Sequence, residues 1–226
     1  MMIRVHVICE GRTEEKFVKE LLVPHFSARS VHLDAVGIGR PGHKGGNVNL
    51  QRLSVDIGIL LHDSKSFCTT LFDFYGMDPH FPGYQECASI KDTAVKAGII
   101  CDRLVQHLHG VVNEDNLRRF IPYVQMHEFE GLLFSNPKEL NSLLDLSRFH
   151  VPDFQKIRDD FKTPEDINDS PQTAPSKRIK TFVPTYGKTT HGPALAERIG
   201  LPTIRRECPL FDAWVTRLES LEPLEN

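Results

Sequence analysis

Residues 3–11, IRVHVICEG, set the architecture of this 226-residue chain. An apolar, β-branched run stopped by Glu10-Gly11 predicts a buried strand that ends in a turn. The residues that follow, TEEKFVKELL (13–22), place two acids directly after Thr13 and apolar side chains at helical spacing. This order predicts a helix that is capped by Thr13 and ends near Pro24. A buried strand joined to a helix by a tight turn is the first half of a β-α unit.

The same alternation of apolar runs and amphipathic segments continues through the first two thirds of the chain. Strands that alternate with helices predict parallel β-α units, so we expect an α/β fold with a Rossmann-like parallel sheet flanked by helices. Strands are predicted at residues 31–38, 67–74 and 120–126, and helices at residues 48–61, 89–109 and 138–144, with a helix also beginning within 127–133.

The pattern changes after residue 149. Residues 163–175 are polar and include three prolines, which predicts a linker or an exposed loop. Helical spacing returns in the segments 176–182, 192–199 and 211–221. We therefore predict two parts: an α/β domain over residues 1–150 and a mainly helical C-terminal extension over residues 151–226 that packs on it.

Composition excludes several classes of protein. The chain has 27 Lys+Arg and 30 Asp+Glu, a net charge of -3, and 40% hydrophobic residues, which argues against a disordered chain and against coating of nucleic acid by bulk charge. The sequence has no apolar run long enough for a membrane span and no secretory signal, so we expect a cytoplasmic protein without membrane contact. Its five cysteines form no CxxC pair and are expected to be reduced thiols.

Carboxylates follow three of the predicted strands. Glu10 follows the first strand, Asp73 lies near the end of the third, and Glu128 and Glu130 follow the fourth. Right-handed crossovers bring the carboxyl ends of parallel strands to one edge of the sheet, where ligands bind. Converging carboxylates repel each other unless a cation neutralises them, and oxygen ligands suit Mg²⁺ or Mn²⁺. Such an ion can polarise a phosphoryl oxygen and activate water.

Each of these residues also has a plainer interpretation. Glu10 could cap the helix that follows it, and Asp73 could be a solvated turn residue. Glu128 and Glu130 share a face if the backbone is still extended there; if a helix has begun they diverge, and Glu130 becomes a first-turn charge. His127 could be a ligand or a phosphate contact.

Basic residues at two places could bind phosphate. The glycine-rich segment GIGRPGHKGG offers Arg40, His43 and Lys44, and the segment YGKTTHG offers Lys188 and His191 just before a helix. A lysine so placed could neutralise charge in the transition state of phosphodiester cleavage. Both segments are also consistent with solvated surface.

Five motifs along the chain are distinctive as an ordered set: CEGRTEEKFV (9–18), LFDFYG (71–76), FIPYVQMHEFEGLLF (120–134), YGKTTHGPALAERIGL (186–201) and CPLFDAW (208–214). The Glu-Gly turn after the first strand and the later strand ending in Asp are similar to the Toprim fold of topoisomerases, primases and overcoming-lysogenization-defect nucleases. The whole set resembles a bacterial Toprim-like family described as a domain of unknown function. The resemblance covers nearly the whole chain.

The resemblance implies roles for individual residues. Glu10 matches the Toprim glutamate, which is implicated in metal binding and acid–base chemistry, and Asp73 matches the first aspartate of the Asp-x-Asp motif. Tyr75 stands where the second aspartate would be, which leaves open whether one or two metal ions bind; Glu128 or Glu130 could supply the missing ligand. With Lys188 as a further catalytic residue, the expected activity is that of a Mg²⁺- or Mn²⁺-dependent nuclease.

The resemblance also implies partners and leaves alternatives open. The expected substrate is DNA or RNA, and small Toprim proteins of this type resemble the effector half of two-gene phage-defence systems with an ABC-like ATPase. Whether the chain forms a homo-oligomer stays open. One alternative is a non-catalytic subunit whose degenerate motif retains the fold and binds nucleic acid or a partner. Another is a nucleotide-binding Rossmann-like protein, which the lack of GxGxxG after the first strand disfavours.

Overall fold

A four-stranded, all-parallel sheet forms the centre of the protein. The computed structural model describes residues 2–38, 48–143, 153–168, 170 and 172–224. The strands lie in the order β2-β1-β3-β4. This confirms the predicted α/β fold with a parallel sheet flanked by helices. The strands are β1 (Ile3–Cys9), β2 (Val31–Gly37), β3 (Ser66–Leu71) and β4 (Phe120–Ile121).

Helices cover both faces of the sheet and make up the C-terminal third. In chain order they are α1 (Arg12–Phe17), a π-helical turn (Val18–Leu22), α2 (Val23–Ser27), α3 (Leu50–Leu61), α4 (Thr93–Leu108), α5 (Glu114–Leu117), α6 (Pro137–Asn141), α7 (Phe154–Asp159), α8 (Pro175–Phe182), α9 (Lys188–Ile199), α10 (Leu201–Glu207) and α11 (Pro209–Glu219). The 3₁₀ helices are Gln85–Ser89, Phe129–Ser135 and Pro164–Asp166.

The first helical segment differs from the prediction at both ends. Its N-cap is Gly11 rather than Thr13, and the carboxylate of Glu14 accepts the Gly11 N–H at 3.0 Å. The segment does not stop near Pro24, because the π-helical turn places this proline in the first turn of α2, where no N–H donor is required. The helical path therefore continues to the end of α2.

The fourth strand has the predicted position but a shorter hydrogen-bonded ladder. The backbone ladder between β3 and β4 is interrupted directly after β4, at Pro122 and Tyr123. A side chain replaces backbone pairing at this point. The Thr70 hydroxyl donates to the Tyr123 carbonyl at 2.7 Å and accepts the Tyr123 N–H at 2.9 Å. Backbone pairing then resumes where the Gln125 N–H donates to the Phe72 carbonyl at 2.9 Å. The chain therefore stays beside β3 up to the carboxyl edge of the sheet.

Alternating residues of β1 enter two different hydrophobic cores, one on each face of the sheet. Val5 and Val7 belong to a core that includes Phe211 and Trp214 of α11, whereas Ile8 belongs to a core built with α3 and α4. The C-terminal helices thus share a core with the first strand. The division of the chain near residue 150 stays a prediction, since it falls outside the described residues.

The segment predicted as a linker or exposed loop at residues 163–175 is in part buried. Glu165 is only 1% exposed, and Ile167 and Ala174 are fully buried. The two Glu165 carboxylate oxygens each accept a backbone N–H, from Leu210 and Phe211, at 2.9 Å. The prediction was wrong because this polar residue satisfies the N-terminus of α11 instead of facing water.

No helix in the described part of the chain combines the length and the apolar character that a bilayer crossing requires.

Candidate active site

Backbone hydrogen bonds join the carboxylates that follow the strands. One carboxylate oxygen of Glu10, directly after β1, accepts the N–H of Asp73, which follows β3, at 3.1 Å. Asp73 Oδ1 in turn accepts the N–H of Phe129, at the start of the 3₁₀ helix beyond β4, at 2.8 Å. Glu10 therefore does not cap α1, a role that Glu14 has, and Asp73 is not a solvated turn residue.

A lysine from the C-terminal third completes this edge of the sheet. Lys188, the first residue of α9, is positioned by the packing of α9 against α1. Its Nζ lies 3.1 Å from Glu128 Oε1 and 3.1 Å from Glu130 Oε2. Glu128 also accepts hydrogen bonds from the Ser176 N–H at 2.8 Å and the Ser176 hydroxyl at 2.9 Å. Both oxygens of Glu128 are thus held.

The backbone at Glu128 and Glu130 combines the two alternatives that the sequence left open. Glu128 is extended and forms the N-cap of the 3₁₀ helix, whereas Glu130 lies inside that helix. Both side chains nevertheless reach Lys188. Glu130 is fully buried, and Tyr186 donates its hydroxyl to Glu130 Oε1 at 3.4 Å. Its Oε2 makes no hydrogen bond, so the ion contact with Lys188 is what stabilises this oxygen.

Crowding of buried carboxylates changes their proton affinities. Burial raises the pKa of Glu10, although the Asp73 N–H and the Lys188 charge oppose the shift. Burial also raises the pKa of Glu14 to about 7, and the neighbouring carboxylates of Glu10 and Glu130 add to this increase. The pKa of Asp73 is raised well above its ordinary value by burial, and then by Glu14 and Glu10. Burial is the largest cause of all three shifts, and the neighbouring carboxylates add to them.

The pKa of Lys188 is also raised, but by neighbouring charges and not by burial. Burial alone would lower the pKa of Lys188, but the charges of Glu130 and Glu128 raise it further than burial lowers it. Lys188 is therefore a permanent cation at working pH. It is one cation among five acidic residues at this edge: Glu10, Glu14, Asp73, Glu128 and Glu130.

The donor set is chemically suited to a hard divalent ion. Glu10 and Asp73 offer carboxylate oxygens, which Mg²⁺ and Mn²⁺ prefer, and the surrounding carboxylates have raised pKa values that a cation would relieve. In the residues that the structure covers, no group of three or more His, Cys, Asp or Glu side chains is arranged to hold a metal ion as it stands. An ion would thus need water or substrate oxygens in addition to Glu10 and Asp73.

Three contributors to the site are not predicted by the sequence. The position of Glu14 predicts only a first-turn helix charge, although this residue lies in the same Glu-Gly-x-Thr-Glu element as Glu10. Ser176 and Tyr186 hold the carboxylates of Glu128 and Glu130 from loops and helix starts far along the chain. Nothing in their local sequence indicates this contact.

The predicted histidines have local structural roles. His127 has a positive φ of 63°, and its Nδ1 lies 3.1 Å from the Asn168 side-chain nitrogen. The His127 carbonyl accepts the Tyr75 N–H at 2.9 Å, and the Tyr75 side chain is 37% exposed. His191 Nδ1 accepts the N–H of Gly187 at 2.9 Å and so stabilises the start of α9. Arg40, His43 and Lys44 lie outside the described residues.

Comparison with known proteins gives a family and one distant structural similarity. A model of the family "Domain of unknown function (DUF4276)" matches residues 9–219. A search of curated proteins finds no match. The chain is similar to the C-terminal region of the Xanthomonas campestris pv. campestris OLD protein, with 13% identity, coverage of 96% of this chain and 94% of that chain, and a TM-score of 0.44.

Proposed function

The chain belongs to the family Domain of unknown function (DUF4276), and we propose that it is a Toprim-type nuclease that uses Mg²⁺ or Mn²⁺ to hydrolyse phosphodiester bonds in DNA or RNA. The observation that carries this proposal is the meeting of Glu10, Asp73 and the Lys188-paired Glu128 and Glu130 at the carboxyl edge of the sheet. Carboxylates beside a fixed cation are the components that metal-assisted phosphoryl chemistry requires.

Each side chain has a defined task in this proposal. Glu10 and Asp73 would hold the divalent ion, which when bound polarises a phosphoryl oxygen and lowers the pKa of a water. Glu10 would act as a general base, and the burial that raises its pKa makes it a better proton acceptor near neutral pH. The Lys188 ammonium would stabilise negative charge that develops on the phosphate, because its side chain is 39% exposed and within reach of a substrate.

The proposal also includes a substrate class, a protein partner and residues that contact phosphate. The motif resemblance supports DNA or RNA as the substrate and an ABC-like ATPase as a partner in phage defence. Arg40, His43 and Lys44, together with His127 and His191, are proposed as phosphate contacts. The Nδ1 atom of His191 is occupied by the start of α9, so a phosphate contact would use its other ring nitrogen.

Cleavage by the purified chain tests the proposal. Supercoiled plasmid and tRNA are incubated with Mg²⁺, Mn²⁺ or EDTA, and Glu10→Gln and Asp73→Asn are compared with wild type. We expect each variant to lose activity by about 100-fold or more, since even groups that only support metal ligands contribute 10–100-fold. The matched control is Asp115→Asn on α5, whose carboxylate is 84% exposed and lies outside the site. Wild-type cutting rates in both site variants would refute the assignment.

A specific observation favours a second function. Tyr75 stands at the position of the second metal-binding aspartate of the Toprim motif, which suits a non-catalytic subunit that binds nucleic acid or a partner. Calorimetric titration distinguishes the two functions. Binding of Mg²⁺ or Mn²⁺ that is lost in Glu10→Gln supports the nuclease, whereas nucleic-acid binding without any metal binding supports the second function.

A further inference from the structure

The Lys188 ammonium occupies a position between two carboxylates that a metal ion could otherwise take. Its Nζ is 3.1 Å from an oxygen of Glu128 and 3.1 Å from an oxygen of Glu130. Both are ion-pair distances, about 1 Å longer than the bonds of Mg²⁺ to oxygen. The Glu130 oxygen is fully buried and makes no hydrogen bond, so it points at this cation with nothing else to neutralise it.

The second carboxylate of this pair is poorly available to a metal. Glu128 Oε1 already accepts from Lys188 and from the Ser176 hydroxyl, while its Oε2 accepts the Ser176 N–H. While Lys188 is in place, a metal ion would have to displace this lysine and share the Glu128 oxygens with the Ser176 donors. Its positive charge would also meet the Lys188 charge in a largely buried space.

The carboxylates of Glu10 and Asp73, on the other side of the site, have different partners from those of Glu128 and Glu130. Glu10 and Asp73 each use one oxygen to accept a backbone N–H, and no ammonium group pairs directly with either among the described residues. Gly76 also approaches closely, since a Cβ at this position would lie 3.2 Å from Glu10 Oε1. Within the described part of the chain, this side therefore has carboxylate oxygens without an ion-pair partner.

We propose that the site binds one divalent ion, held by Glu10 and Asp73, and that the Lys188 ammonium replaces a second ion between Glu128 and Glu130. This inference rests on the metal dependence of the proposed function. It also accounts for Tyr75, because a site with an internal cation does not need the second aspartate of the motif. The lysine would supply at the phosphate the positive charge that a second ion supplies in two-metal sites.

Counting bound ions tests the inference. The full chain is freed of metal with EDTA, and Mn²⁺ binding is measured by calorimetry and by the electron paramagnetic resonance signal of free Mn²⁺. We expect one Mn²⁺ in wild type and a second in Lys188→Met, where Glu128 and Glu130 lose their cation. Lys19→Met, an exposed lysine of the adjacent π-helical turn, is the matched control and should still bind one ion.

Each result decides the question. Two ions, or none, in wild type would overturn the inference, as would a Lys188→Met variant that folds and still binds one ion. If Lys188→Met does not fold, the wild-type stoichiometry decides alone. Cleavage assays on the same samples separate the two proposals: one ion without cleavage refutes the nuclease and retains this inference, and two ions with cleavage do the reverse.

Discussion

Removing the charge of Lys188 should destabilise the protein in a way that depends on pH. In Lys188→Met, the buried carboxylate of Glu130 loses its ion contact. Burial already raises the pKa of Glu130 above its ordinary value of 4.5, and loss of Lys188 raises it further. A carboxyl with a raised pKa in the folded state binds its proton more tightly there than in the unfolded chain. The variant should therefore be close to wild type in stability near pH 5 and lose stability as the pH rises towards 8.

The contact distances set the size of the effect. At 3.1 Å and an effective dielectric constant of about 20, each of the two ion contacts of Lys188 corresponds to about 5 kcal/mol of Coulomb attraction. Desolvation of the lysine offsets much of this, and breaking a buried pair typically costs about 3–5 kcal/mol. Because the Lys188 side chain is 39% exposed, solvent screening reduces the expected loss to about 2–3 kcal/mol at pH 8. At pH 5 the expected loss is below about 1 kcal/mol.

Urea unfolding in EDTA at pH 5 and pH 8 measures both values. In a Glu130→Gln background, Lys188→Met should cost less at pH 8 than it does in wild type, because the contact that is then lost is with Glu128, which Ser176 also stabilises. Lys19→Met should change stability by less than about 0.5 kcal/mol, since this lysine forms only an exposed ion pair with Glu15. Equal losses at both pH values, or in both backgrounds, would refute the assignment of Lys188 as the counter-charge of Glu130.

Three further predictions concern the helices and the site. Glu165→Ala leaves two buried N–H groups at the start of α11 without acceptors and should lower the free energy of unfolding by about 2–3 kcal/mol; a loss below 0.5 kcal/mol in urea unfolding would contradict this role. Trp214→Phe removes the indole N–H that donates to the Thr69 hydroxyl at 2.8 Å and should cost about 1–2 kcal/mol in the same assay, with a smaller cost when Thr69 is already Val. Because burial raises the pKa of Glu14 to about 7, this carboxyl gains a negative charge beside the site as the pH rises through that value, and Mn²⁺ affinity measured by calorimetry should increase about tenfold from pH 6 to pH 8. The pH dependence should be weaker in Glu14→Gln.

The parallel sheet and the position of two acidic residues could be predicted because they depend on local patterns and a general rule of chain handedness. The apolar run before Glu10 and the one before Asp73 each form a strand. Right-handed crossovers then require the two strand ends to lie on the same edge. Their hydrogen bond at 3.1 Å is a direct consequence of this topology.

Backbone chemistry explains the errors at the element level. The helix extends past Pro24 because a π-helical turn places the proline where a donor is not required. The ladder of β4 is short because the Thr70 hydroxyl on β3 bonds to both the N–H and the carbonyl of Tyr123 in place of backbone pairing. Neither adjustment follows from hydrophobic periodicity, which reports the side of an element that is buried but not the partner of each backbone group.

Local sequence established the order of strands and helices in this protein and put carboxylates directly after its strands, because apolar spacing and turn residues act over a few positions. The pairing of Lys188 with Glu128 and Glu130 joins residues about 60 positions apart, and the contact of Glu165 with α11 spans 45 positions. Such contacts arise only after the C-terminal helices have packed on the sheet. Whether a buried carboxylate has a lysine, a backbone N–H or no hydrogen-bond partner depends on that packing, since the same side chain can be satisfied by groups from any part of the chain.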